Sequence, residues 1–185
     1  MWELFIGKVI EKKFSSAINL AIVAVMTALL ECAKLLLSLV PNVELVTLLS
    51  AVFGAVFGPL GVLSTLIFVV VEYFIWGFGT WLVSYAIHWP LVALTFWLCA
   101  KQKWFNKFWA TGLALVFCIG FSFLTSLVDI GLFTGVWQDF WHRFFVYYLR
   151  GIVFYLVQLA TNLVVFLTLY DLIKNSLTKI KTTFN

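Results

Sequence analysis

Charge is what this chain has least of. Asp, Glu, Lys and Arg make up 11% of its residues, against 64% apolar ones, and the mean hydropathy is +1.08. A soluble domain carries about one quarter charged and about half apolar residues. A chain of 185 residues keeps too much of its surface exposed to hide such an apolar excess from water. A water-soluble fold is therefore excluded, and lipid is the natural solvent. The length suits one compact helical domain, 1–185, with no room for a second soluble one.

Other absences narrow the function. The cysteines Cys32, Cys99 and Cys118 are scattered through apolar segments with no CxxC or metal spacing, so they read as small core residues and no metal site is expected. The opening MWELFIGKVIEKKFSS carries Glu3 and Glu11 among its lysines and has no cleavage site, so no cleaved signal peptide is expected. There is no HExxH zinc site, no GxSxG elbow, no P-loop and no paired-glutamate intramembrane protease signature, so the chain is not expected to be an enzyme. No internal repeat suggests the two halves common in secondary transporters. No long linker or low-complexity tract appears, and no clear pore lining.

What is present is long apolar runs. A bilayer-crossing helix needs roughly 20 mostly apolar residues. The runs predict an all-α, polytopic membrane protein, a bundle of six transmembrane helices at 16–37, 44–58, 60–76, 81–100, 109–134 and 146–173. The second and third are short and separated by Gly58-Pro59-Leu60-Gly61, which favours a turn, although the two also read as one broken hairpin. A short second span is tolerated if it is tilted or partly buried in the bundle.

Lysines orient the bundle. Lys8, Lys12 and Lys13 precede the first span, Lys101, Lys103 and Lys107 lie between the fourth and fifth, and Lys174, Lys179 and Lys181 follow the sixth. With six spans all three clusters fall on one side, the cytoplasm by the positive-inside rule, together with both termini. The opposite loops hold Asn42, Glu44, Gln138, Asp139 and Arg143. Topology thus accounts for the net charge of +4, and nucleic-acid binding is not expected.

Polar residues recur on helix faces. Thr65, Phe68, Glu72 and Trp76 share a face of the third span. Trp81, Tyr85 and His88 share one on the fourth, before Pro90. Cys118, Ser122, Thr125 and Asp129 line the fifth, and Tyr148, Gly151, Tyr155, Gln158 and Asn162 the sixth, with Arg143 and Arg150 on a different face. An unsatisfied polar group costs several kcal/mol in lipid, so such stripes point inward. Four of them imply a polar centre, weighted toward the outer half, where an externally open pocket would sit.

Each stripe also has a plainer reading. Trp76, Trp81, Trp89, Trp137 and Trp141 suit an aromatic belt at the outer boundary. A lone histidine such as His88 is more often a hydrogen-bonded core residue than a ligand or base. Asn42 and Glu44, after Pro41, suit a cap on the second span. Glu72 and Asp129, ionisable within spans, point more strongly to function. On the first span Ala17, Ala21, Ala24 and Ala28, spaced 4, 3 and 4, fall on one stripe that allows close helix approach. It serves either internal packing or docking of a partner. Glu31 and Lys34, three apart, can pair near the outer end of that span.

The stretch from Val43 through Glu44, Gly54 and Gly58-Pro59-Leu60-Gly61, with Ala17-xxx-Ala21 and Ala24-xxx-Ala28 on the first helix, resembles the substrate-binding S components of energy-coupling factor (ECF) vitamin transporters. In length and topology the resemblance covers nearly the whole chain. It implies a subunit of the bacterial plasma membrane with both ends cytoplasmic. Such a subunit captures a vitamin at its outer face, docks through its first helices on a T-type membrane scaffold subunit, and topples to release its cargo inside. ATP is used by two cytoplasmic ATPase partners, and no cofactor is bound by the chain itself. The overall look is nearest the cobalamin-specific type. Aromatic walls with neutral amides suit an amide-rich ring, while Arg143 and Arg150 keep anionic vitamins such as folate or pantothenate open. The expected substrate-binding residues are Asn42, Glu44, Glu72, Trp81, Tyr85, His88, Asp129, Arg143, Tyr155, Gln158 and Asn162.

Overall fold

The computed structural model describes the backbone of residues 2–133 and 139–184 and the side chains of 16–132 and 139–183. Gln138 and Trp137 lie outside the described residues, as do the side chains of Lys8, Lys12 and Lys13. The chain forms helices α1 (Trp2–Leu37), α2 (Val46–Phe57), α3 (Pro59–Trp76), α4 (Thr80–Cys99), α5 (Lys107–Val128) and α6 (Phe140–Phe184), and a π-helical turn, Asp129–Phe133, continues α5. Five of the helices are long and apolar enough to cross a membrane, and α2 is a shorter apolar helix. The protein is a helical membrane bundle.

α2 sits at its centre. It touches α1, α3, α4 and α6, and only Leu49 and Ala55 of its 12 residues escape full burial. A helix of that length rises about 18 Å, too little for the roughly 30 Å hydrocarbon core. Burial by its neighbours makes the short length tolerable, because α2 scarcely meets lipid.

Glycine permits this crowding. A Cβ on Gly54 would fall 2.0 Å from the carbonyl oxygen of Ala93 on α4. A Cβ on Gly61 would fall 2.3 Å from that of Phe53 on α2. Helix backbones therefore touch at both points. Gly58 alone separates α2 from α3, at φ 60°, with its N–H donating to the Gly54 carbonyl at 2.9 Å. Pro59 opens α3, where its missing N–H has no intrahelical acceptor to lose. The two segments are thus distinct helices folded sharply against each other.

The outer helices are longer than their apolar runs. α1 extends back to Trp2 and α6 on to Phe184, where the expected spans begin at 16 and end at 173. Hydropathy marks where lipid ends, but no Gly or Pro interrupts 171–184 to end the helix there. The overhang of α6 has a structural task. Lys181 Nζ donates to the Val56 carbonyl at 2.7 Å, closing the C-terminal end of α2. At the same end of the bundle Asn106 caps α5, its Oδ1 accepting from the N–H of Phe108 at 3.0 Å and of Trp109 at 3.3 Å.

α3 rises about 27 Å from the shared turn, so the far end of α2 is recessed by about 9 Å beside it. The α1–α2 connection, 38–45, dips into that recess, with Asn42 in the left-handed region at φ 60°. Leu39 in this connection and Lys103 in the α4–α5 connection lie at opposite ends of the bundle. In a background freed of native cysteine, Leu39→Cys should react with an impermeant maleimide only from outside intact cells, and Lys103→Cys only after permeabilisation. Labelling of both from one side would end the six-helix topology.

Candidate functional site

The recess opens into a cavity of about 480 Å³ whose walls include Lys34, Asn42, Glu44, Trp76, Trp81 and Tyr85. The end of α1, the 38–45 connection, the end of α3 and the start of α4 therefore converge on one space.

Lys34 in its wall is paired with a carboxylate behind it. Lys34 Nζ donates to Glu72 Oε2 across the α1–α3 contact, and the Glu72 side chain is fully buried while that of Lys34 is 23% exposed. Glu31, the expected partner, interacts with Lys34 through charge alone, while the hydrogen bond goes to Glu72. Both carboxylate oxygens of Glu31 are buried without a hydrogen-bond partner, as is Oε1 of Glu72. Lys34 also lies among three rings, its Nζ 5.8, 5.1 and 4.9 Å from the centroids of Trp76, Trp81 and Tyr85. Those rings are held in turn. Trp81 meets Tyr85 edge-on at 5.1 Å, and Tyr85 meets Trp89 at 5.4 Å and Phe68 at 6.4 Å.

Glu44 anchors the opposite wall. Its Oε2 accepts from the Thr47 N–H at 2.8 Å, and its Oε1 from the Thr47 hydroxyl at 2.6 Å and from Asn162 Nδ2 at 2.7 Å. The carboxylate thereby holds the first turn of α2, where a negative charge is favoured, and ties the loop to α6. Asn162 is fully buried, and Nδ2 also donates to the Gln158 carbonyl at 3.1 Å, while Oδ1 has no partner. Gln158 is buried one turn away.

The remaining expected residues lie apart from this cavity's lining. His88 is buried in an aromatic nest, with ring centroids 4.5 Å from Trp89 and 4.6 Å from Phe121, and Nε2 lacks a partner. The α5 stripe satisfies itself: Ser122 donates to the Cys118 carbonyl at 3.0 Å, Thr125 to that of Phe121 at 3.0 Å and Ser126 to that of Ser122 at 2.9 Å. Such bonding back to the preceding turn lets hydroxyls sit in an apolar bundle without a ligand. Asp129 accepts from the Tyr147 hydroxyl, and Tyr155 lies 3.3 Å from the Ser126 hydroxyl. Arg143 is half-buried in the first turn of α6, and Arg150 is exposed on the outward face of that helix. Trp89, expected in an aromatic belt, is instead a buried core residue.

The alanine stripe lies on the exposed face of α1. Ala17, Ala21, Ala24 and Ala28 all face outward, while Val23, Met26, Thr27, Leu30 and Glu31 turn α1's other face into the bundle. Ala21 borders a groove shared with Phe53 and Phe57 of α2 and Leu177 and Ile180 of α6.

Sequence reasoning treated Lys34 as half of a local pair and Trp76 as part of a belt. A lysine inside a span was the available signal, since a cation there seeks a buried partner.

No protein-family model, no curated protein and no solved structure matches this chain.

Proposed function

We propose that this chain is the membrane-embedded substrate-binding subunit of an ECF-type importer in a bacterial plasma membrane, capturing a vitamin-sized molecule at its outer face. The observation that carries the reading is the cavity at the bundle end remote from Lys103 and Lys181. A bundle built only to be stable has no reason to gather Lys34, Glu44 and three aromatic rings around empty space. Ligand sites have this make-up, apolar and aromatic walls with a few placed polar groups.

The outward alanine stripe supports the second half of the reading. Small residues on an exposed face let a partner helix approach closely, as docking on a T-type scaffold requires. ATP hydrolysis falls to the two cytoplasmic ATPase partners. The corrinoid expected for the cobalamin-specific type would place only part of its bulk in about 480 Å³, so cobalamin enters the test as one member of a vitamin panel beside folate and pantothenate.

The test is co-purification from the native host. A tagged chain should bring down two ATPases and a membrane scaffold. A chain that binds no ATPase there overturns the importer. In the recovered complex, Ala21→Leu or Ala24→Leu should weaken scaffold association at least ~10-fold, because a large side chain separates closely packed helices, while ligand binding by the isolated chain stays unchanged. A complex as stable as wild type in both variants removes the stripe from docking.

A further inference from the structure

The cavity's chemistry points to the charge of its ligand. Lys34 Nζ lies within 6 Å of three ring centroids, those of Trp76, Trp81 and Tyr85, and on the Glu72 carboxylate. Aromatic faces around a carboxylate form the receptor for an ammonium-type cation, and such boxes recognise quaternary ammonium groups. Here the chain's own lysine sits in the box.

The local charge balance is negative. Three carboxylates, Glu31, Glu44 and Glu72, surround one ammonium. Glu44 is spoken for by Thr47 and Asn162. Glu31 is not: both its oxygens are buried without a partner, and it stands three residues before Lys34 on the same helix, a spacing at which side chains meet. Glu72 Oε1 is also buried and unpartnered. The site thus has one cation to satisfy two buried carboxylates, and a second seat for that cation one turn down α1.

We infer that the box of Trp76, Trp81, Tyr85 and Glu72 binds an organic cation, a quaternary ammonium or an N-alkylated heteroaromatic ring, and that Lys34 is its resident place-holder. The ligand's cation takes the rings and Glu72, and Lys34 turns to Glu31. Occupied, the site holds two cations instead of one against its three carboxylates, so the ligand reduces the uncompensated charge. Lys34 keeps the box filled when empty of ligand and competes with weak binders. The inference rests on the cavity being a ligand site, but not on the importer.

Purified chain in lipid nanodiscs is titrated calorimetrically with choline and with 1-methylnicotinamide, each against its uncharged analogue, 3,3-dimethylbutan-1-ol and nicotinamide. At least one cation should bind, with its neutral analogue ~10-fold weaker or more. Lys34→Met, measured well below its unfolding temperature, should tighten the cation about 10-fold by removing the competitor. Trp81→Leu, which spares the ion pair, should weaken it by a similar factor in a protein that elutes and melts as a folded species. No binding of either cation, equal binding of the neutral analogue, or weaker binding by Lys34→Met overturns the inference. Cation binding without ATPase partners would leave it standing while the importer falls. Partners with an anionic or neutral ligand would do the reverse.

Discussion

Gly54→Leu should leave little or no folded protein in the membrane. The first atom added to Gly54 would stand 2.0 Å from the Ala93 carbonyl oxygen, and that neighbour is backbone, so no side chain can swing aside. Overpacking an ordinary core costs about 1–3 kcal/mol where side chains can adjust. Here α2 and α4 must move apart, and α2 also carries α1, α3 and α6. The cost for Leu should exceed ~4 kcal/mol, the range that marks a named structural failure, and Gly54→Ala should already lower the melting temperature in detergent clearly. Gly112, with nothing within 4 Å of an added Cβ, is the control: Gly112→Ala should melt at or above wild type, since alanine is the better helix former. A wild-type melting curve for Gly54→Leu would mean that α2 and α4 do not touch at this point.

Lys34→Met should be the next most damaging single change. It strands Glu72, whose side chain is fully buried, and removing one partner of a buried pair costs about 3–5 kcal/mol. For a chain of this size that corresponds to a fall of ~10 °C in melting temperature. Replacing both partners with apolar residues, Lys34→Met with Glu72→Leu, should recover most of the loss, because no buried charge is then left uncompensated. If the double variant is no more stable than Lys34→Met alone, the two side chains are not a pair.

Such pairs mark where reading a sequence stops. Helix positions were legible because lipid imposes a length and an apolarity that a run of residues displays directly, and Gly58-Pro59 announced its turn. Lys34 and Glu72 are 38 residues apart, and nothing in either neighbourhood encodes the other. Glu31, three residues away, was the partner that local spacing offered. The polar stripe on α5 was visible too, but spacing alone does not tell a hydroxyl that faces a ligand from one that bonds its own helix, as Ser122 and Ser126 do. Glu44 read as a cap and as a ligand contact at once. Its oxygens hold Thr47 and Asn162 at the edge of the cavity, which is the capping role. The helical overhangs were hidden for the opposite reason, since polar residues beyond an apolar run carry no hydropathy signal whether or not the helix continues through them.

The recess above α2 has an electrical consequence. Water admitted to a pocket about 9 Å below the end of α3 brings the outside potential down with it, so the remaining drop falls across a thinner insulating slab. A charge at the bottom of that pocket has therefore crossed little of the transmembrane field, and nearly all of the drop lies between it and the opposite end of the bundle. The full field is worth about 2.3 kcal/mol per elementary charge for each 100 mV. A charge moving from the pocket to the opposite end would cross nearly all of that potential over a path shortened by the depth of the recess, while occupancy of the pocket itself would depend little on it.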